Sequence, residues 1–268
     1  MEYTVNGVNI SYEVAGEKTW GEKRILLEEA VDLTASTTWH ASGFTVESFI
    51  DAKSFSLFRQ QTRDLLLECW KMAGLAPADD FRLDQYHTLV KNFNEHLSAV
   101  DKTKLLPVED FPIPLNQLED RVSQICGIPV EVKNPYDGQR IFHFRVIRPQ
   151  QRDNNPLHRD IWLPDYDDCI NLYIPVAGSN ERSSLILVPG SHLWPESRIE
   201  RTVSGAEING VKYNVPAITA IEGSYSIERP NPAENQLLIF SPYLIHGGAV
   251  NLNKHESRIS IEIRLWKK

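Results

Sequence analysis

The spacing of apolar residues divides the chain near residue 135. Ser54–Leu75 (SFSLFRQQTRDLLLECWKMAGL) places apolar side chains at Phe55, Phe58, Leu65, Leu66, Cys69, Trp70 and Met72. That spacing is close to the 3.6-residue period of a helix with one buried face, and Gly74 supplies a stop. Phe81–Val100 predicts a second helix and Pro114–Gly127 a third, with Pro114 suited to a first turn and Gly127 to an end. Residues 1–134 are therefore expected to be mainly helical.

From Asn134 onward the pattern shortens to β-rich runs separated by Gly, Pro, Asn and Asp. They are Arg140–Pro149, Leu157–Pro164, Cys169–Val176, Ser184–Gly190, Ala217–Ile221, Gln236–Phe240, Leu244–Leu252 and Ser257–Trp266. In the last of these, Ile259, Ile261, Ile263 and Leu265 alternate with Ser260, Glu262 and Arg264, as in a strand with one buried face. About eight short strands in one block predict a sandwich, jelly roll or barrel over residues 135–268. The expected fold is mainly β with flanking helices, in a single domain spanning 1–268.

A chain of 268 residues can build one large core. No run reaches the ~18 apolar residues of a membrane span. The start, MEYTVNGVNISYEVAG, lacks the basic and apolar blocks of a signal peptide, so a cytoplasmic protein is expected. Cys69, Cys126 and Cys169 are odd in number and far apart, which predicts reduced thiols. The net charge of −8 disfavours nucleic acid and anionic membranes and fits a small-molecule partner better. Oligomeric state is not readable from the sequence.

The triplet His158-Arg159-Asp160 is by itself unremarkable: 8 histidines and 36 acids in 268 residues give roughly one His-x-Asp/Glu by chance. On a strand, however, His158 and Asp160 would share a face and Arg159 would take the other. An imidazole and a carboxylate together suit a divalent first-row metal, and a third ligand must come from elsewhere. His246 is the best candidate, because it follows the apolar run Leu237–Phe240 and precedes Gly247-Gly248, which leave room beside a ring. Twelve residues on, Arg258 and Ser260 share a strand face and could grip a carboxylate. Arg264 lies on that same face as a weaker rival for this role.

Together, His-x-Asp, a distal His and an Arg some twelve residues later in a strand-rich block resemble the iron(II)- and 2-oxoglutarate-dependent oxygenases. The segment Val188-Pro189-Gly190-Ser191-His192, between the two ligand stretches, is similar to the phytanoyl-CoA dioxygenase branch. The resemblance runs over roughly Ile141–Trp266 and implies a double-stranded β-helix of the jelly-roll, cupin-like kind. It implies His158, Asp160 and His246 as iron ligands, Arg258 with Ser260 on the distal carboxylate of 2-oxoglutarate, and O₂ as co-substrate. The implied reaction hydroxylates a small molecule and releases succinate and CO₂. Related halogenases carry a small residue at the Asp160 position, so a carboxylate there implies hydroxylation.

Further contacts to 2-oxoglutarate are expected from Asn171 and Tyr173, which share a face of one strand. Arg145 and His143 share a face of another, and one of them is expected to meet the cofactor pocket. His192 is expected to organise its loop. Ser191–Gln236, long for a connection, is expected to cover the barrel mouth together with the N-terminal helices. Two other readings stay open: a cupin-like metal-dependent isomerase or hydrolase, with His143 or His192 as an additional ligand, and a non-catalytic binding protein on the same barrel.

Overall fold

The computed structural model describes residues 1–151 and 153–268. It begins with a hairpin of β1 (Glu2–Val5) and β2 (Val8–Ser11), followed by β3 (Lys18–Trp20) and β4 (Phe44–Ser48). Then come α1 (Ala52–Met72), α2 (Phe93–Asp101), β5 (Leu106–Pro107), α3 (Leu115–Cys126) and β6 (Val130–Glu131). The remaining strands are β7 (Ile141–Ile147), β8 (Cys169–Ala177), β9 (Ile199–Thr202), β10 (Ala206–Ile208), β11 (Val211–Tyr213), β12 (Ile218–Ile221), β13 (Gln236–Phe240) and β14 (Arg258–Lys267).

The helices expected within 1–134 lie between Ala52 and Cys126, and the first fifty residues hold four strands, turns and one short 3-10 segment, Leu26–Glu29. The local signal lay in Asn6-Gly7, whose φ values of 50° and 74° make the two-residue turn that joins β1 to β2. The second expected helix, Phe81–Val100, is also broken. A 3-10 segment, Leu83–Thr88, ends before Asn92, whose extended backbone and side chain cap α2 by accepting from the Glu95 N–H at 3.0 Å. α1 is capped in the same way by Asp51, which accepts from the Lys53 and Ser54 N–H groups. Gly127 closes α3 in the left-handed conformation with φ 70°.

An antiparallel seven-stranded sheet runs β4-β13-β8-β14-β7-β5, with β6 also paired to β14. Strand alternation gives it two different faces. Phe142, Phe144, Ile170, Leu172, Ile259 and Ile261 pack against Phe58, Leu66 and Trp70 of α1 and Leu118 and Val122 of α3. On the other face, Tyr173, Leu238 and Phe240 meet Leu185, Leu187, Ile218 and Ile245 of a second, smaller layer. That layer contains β12-β9-β3 and isolated bridges that link His158 to His246 and Leu187 to both His246 and Glu228. The result is a jelly-roll, cupin-like double-stranded β-helix with helices behind its larger sheet.

This arrangement corrects the expected place of the N-terminal helices. The N-terminal helices lie on the outer face of the large sheet, away from the barrel interior, because their apolar faces match its outward-pointing Ile and Phe residues. Ser191–Gln236 contributes β9, β12 and the hairpin β10-β11. Among the described residues, no helix is long and apolar enough to cross a membrane. All three cysteines are free and buried.

Candidate metal centre and cavity

His158 and His246 are brought together by backbone pairing. Each donates its N–H to the other's carbonyl at 2.9 Å, and the rings lie 4.4 Å apart between centroids. The expected strand around His158 is reduced to this bridge, and Asp160 opens a short 3-10 turn, Asp160–Trp162. Side-chain alternation survives across the change. His158 and Asp160 enter the barrel, while Arg159 is buried on the other side against Glu196 and the Ser191 carbonyl.

Gly247 and Gly248 have left-handed φ values of 97° and 60°. A Cβ on Gly247 would lie 2.5 Å from the Pro156 carbonyl oxygen and 2.9 Å from His158 Nδ1. The space expected beside the imidazole is thus filled by His158. Gly247→Ala is expected to lower stability by roughly 1–3 kcal/mol from the strained φ alone, and to weaken metal binding. Urea unfolding and equilibrium dialysis against Mn(II) check the two effects.

The donor set fits a cation. His158 Nδ1 donates to the Pro156 carbonyl at 2.8 Å, and His246 Nδ1 donates to the Leu244 carbonyl at 2.9 Å. A neutral imidazole has one N–H, so both Nε2 atoms present lone pairs. They lie 3.2 Å and 3.5 Å from Asp160 Oδ1, itself an acceptor. Burial pushes the His158 pKa down, and His246 adds to this, which favours the neutral ring. Three converging acceptors repel one another unless a positive ion sits between them. Metal–ligand bonds of about 2.0–2.2 Å at right angles would space such atoms about 3 Å apart. All three atoms lie within 4.8 Å of one another, and no other such cluster occurs among the described residues.

Asp160 is held from behind. Its Oδ2 accepts from Asn171 Nδ2 at 3.0 Å and from Arg264 Nη2 at 2.8 Å and Nε at 3.2 Å. Burial alone would raise its pKa, but Arg264 and then His246 outweigh it and hold the carboxyl well below the usual range. Two roles therefore differ from expectation. Asn171 and Arg264 are partners of a metal ligand, because their strand neighbours place them together (Asn171 pairs with Arg264 across β8 and β14). Loss of an outer-shell partner usually costs 10–100-fold in metal affinity. Arg264→Met is expected to fall in that range by Mn(II) titration, with Arg264→Lys recovering part of it.

Farther along the same face, Arg258 is only 2% exposed, yet no carboxylate pairs with it among the described residues. Its Nη1 donates to Ser260 Oγ at 3.1 Å, its Nε has no partner, and its guanidinium lies 5.5 Å from the Tyr173 ring centroid. Tyr173 spends its hydroxyl on Ser179 Oγ, at 2.7 Å. Arg145 is paired with Glu262, Nη2 to Oε2 at 2.9 Å. Burial would raise the Glu262 pKa, but Arg145, then Arg258 and Arg264, hold it at about 2. The metal triad, Arg258, Arg145 and Glu262 line one cavity.

Neither additional histidine joins the triad. His143 Nδ1 accepts from the Leu105 N–H at 2.9 Å, and His192 Nε2 donates to the His40 carbonyl at 2.8 Å. The Pro-Gly-Ser-His segment works as a brace instead. Ser191 Oγ accepts from the Ile245 N–H at 2.8 Å, beside His246, and the Ser191 carbonyl holds Arg159. Glu196, which no sequence pattern marked, accepts from both Arg159 and Trp162 Nε1.

Two imidazoles and one carboxylate converging inside a jelly roll are the donor set of the facial-triad class of non-haem oxygenases. The chain belongs to the phytanoyl-CoA dioxygenase family, whose sequence profile matches residues 39–260. No curated protein matches the chain by sequence. Similar solved structures include EctD from S. alaskensis with 2-oxoglutarate and 5-hydroxyectoine, at 11% identity and a TM-score of 0.52, covering 96% of this chain and 86% of that one. AviO1 from Streptomyces viridochromogenes Tue57 aligns at 16% identity, TM-score 0.47, over 85% and 90% of the respective chains. SnoN, a non-heme alpha ketoglutarate dependent epimerase from nogalamycin biosynthesis, aligns at 12%, TM-score 0.44, over 90% and 83%. At 11% identity the likeness to EctD concerns the fold.

Proposed function

We propose that the protein is an iron(II)- and 2-oxoglutarate-dependent dioxygenase that hydroxylates a small molecule, acting as one unit over residues 1–268. The observation that carries this reading is Arg258: a buried guanidinium without a carboxylate, in the same cavity as the triad. An unmatched buried charge is costly, and a ligand carboxylate would satisfy it through the forked donors. In this reading His158, Asp160 and His246 hold Fe(II), and Arg258 with Ser260 binds the distal carboxylate of 2-oxoglutarate. Tyr173 supports the guanidinium from one face.

Bound iron with 2-oxoglutarate and O₂ supplies oxidative chemistry whose co-products are succinate and CO₂. The chain's part would be to fix the co-substrate, to hold Asp160 through the Oδ2 bonds from Asn171 and Arg264 so that it can serve as a ligand, and to exclude water. The carboxylate at position 160 favours hydroxylation over halogenation. The test is succinate release from 2-oxoglutarate by the full chain with Fe(II) and O₂, which proceeds slowly without substrate. Absence of succinate despite bound iron and 2-oxoglutarate would count against it.

The isomerase or hydrolase reading would need His143 or His192 as a fourth ligand, and both rings are committed elsewhere.

A further inference from the structure

The cavity has more charged groups than metal and co-substrate binding use. Three guanidinium groups, Arg145, Arg258 and Arg264, line it together with two carboxylates, Asp160 and Glu262. Arg264 is spent on Asp160, and Arg258 is assigned to 2-oxoglutarate. Arg145 and Glu262 remain, both lining the cavity, with side chains 31% and 22% exposed. A divalent ion and a dianionic keto acid cancel, so the loaded site keeps one positive charge in excess. Such a field favours a ligand that brings a negative group.

The ion pair itself is incompletely used. Arg145 reaches Glu262 through Nη2 and Nε, and its Nη1 has no hydrogen-bond partner among the described residues. Glu262 Oε1 receives only the 3.3 Å contact from Nε. A cross-strand pair kept for stability alone gains little, because desolvation offsets most of the attraction. A pair with one open donor edge and one underused acceptor, bordering a metal site, is suited to a molecule with complementary groups side by side.

From this we propose that Arg145 and Glu262 form the substrate-recognition pair. The substrate would be a small polar acid, with its carboxylate on Arg145 and a neighbouring ammonium or hydroxyl donating to Glu262. Amino acids and 2-hydroxy acids share this chemistry; a long acyl thioester lacks it. The inference rests on the oxygenase reading given above.

The test uses the full chain loaded with Mn(II) and 2-oxoglutarate and reads equilibrium binding by thermal shift and calorimetry. The probes are the protein L-amino acids, the matching 2-hydroxy acids, the matching unsubstituted acids, the amino-acid methyl esters, and lauroyl-CoA. At least one free acid should bind, and its methyl ester should bind at least about tenfold more weakly, the loss of one charge-assisted contact. Arg145→Gln should erase the acid-over-ester preference. Glu262→Gln should erase the preference for a compound with the ammonium or hydroxyl over its unsubstituted acid. The double variant R145Q/E262Q keeps a neutral hydrogen-bonded pair, guards against loss of folding, and should show neither preference.

The relative binding of amino and hydroxy acids tells which donor Glu262 takes. Equal binding of acid and ester, preference for lauroyl-CoA, or no probe bound while 2-oxoglutarate binds would each overturn the proposal. Failure of 2-oxoglutarate itself to bind would instead overturn the oxygenase reading.

Discussion

Asp160→Ala is expected to abolish tight metal binding, by more than the 10–100-fold that an outer-shell loss costs, and formate is expected to restore part of it. The substitution removes one of three converging ligand atoms. It also leaves Arg264 and the Asn171 amide, which together donate three hydrogen bonds to Asp160 Oδ2, aimed at the vacated volume. A buried guanidinium without a partner is costly, so a small carboxylate has reason to enter. Equilibrium dialysis with Mn(II), with and without formate, measures both effects. The double variant D160A/R264M should lose the rescue. If formate restores metal binding equally well there, the guanidinium is not what holds the carboxylate.

Arg258→Gln is expected to weaken 2-oxoglutarate binding by at least about 30-fold, since truncating one side of a buried charge pair costs roughly 2–5 kcal/mol. Metal affinity should stay within about threefold, because Arg258 makes no contact with the triad and donates to Ser260 Oγ. Arg258→Lys should recover charge but not the two-pronged geometry, and fall in between. Calorimetric titration of 2-oxoglutarate into the Mn(II)-loaded variants separates the two affinities. Loss of metal and 2-oxoglutarate binding together would point to collapse of the barrel rather than loss of a carboxylate site.

The site was more legible in the sequence than its supports. A two-residue alternation and a Gly-Gly turn made His158, Asp160 and His246 candidates, and their order with Arg258, through the family resemblance, implied them as ligands. The alternation in Arg258–Lys267 likewise showed which side chains enter the barrel. It could not show where their charges go. Arg264 shares its face with Arg258, but its pairing with Asp160 depends on β14 lying beside β8, a relation between segments about ninety residues apart. The same holds for Arg145 and Glu262, joined across β7 and β14.

The misreadings have comparable causes. Asn6-Gly7 announced a hairpin, but the strands it joins are four residues each, too short for a period to stand out beside the helices. Phe81–Val100 has helical spacing throughout, and the cap at Asn92 nevertheless splits it. The helices could not be placed by their own pattern either. Which face of the sheet they cover is decided by the outward Ile and Phe residues of β7, β8 and β14, and that leaves Ser260, Glu262 and Arg264 of β14 facing the barrel interior.

The central claim is that a triad-bound metal and Arg258 together form a 2-oxoglutarate site. Anaerobic titration of 2-oxoglutarate into the wild-type chain, once metal-free and once loaded with Mn(II), tests it most directly. The account predicts one molecule bound per chain, tightly only when the metal is present, because one end needs the ion and the other needs Arg258. Binding of metal with no binding of 2-oxoglutarate, or 2-oxoglutarate binding that is the same with and without metal, would contradict it.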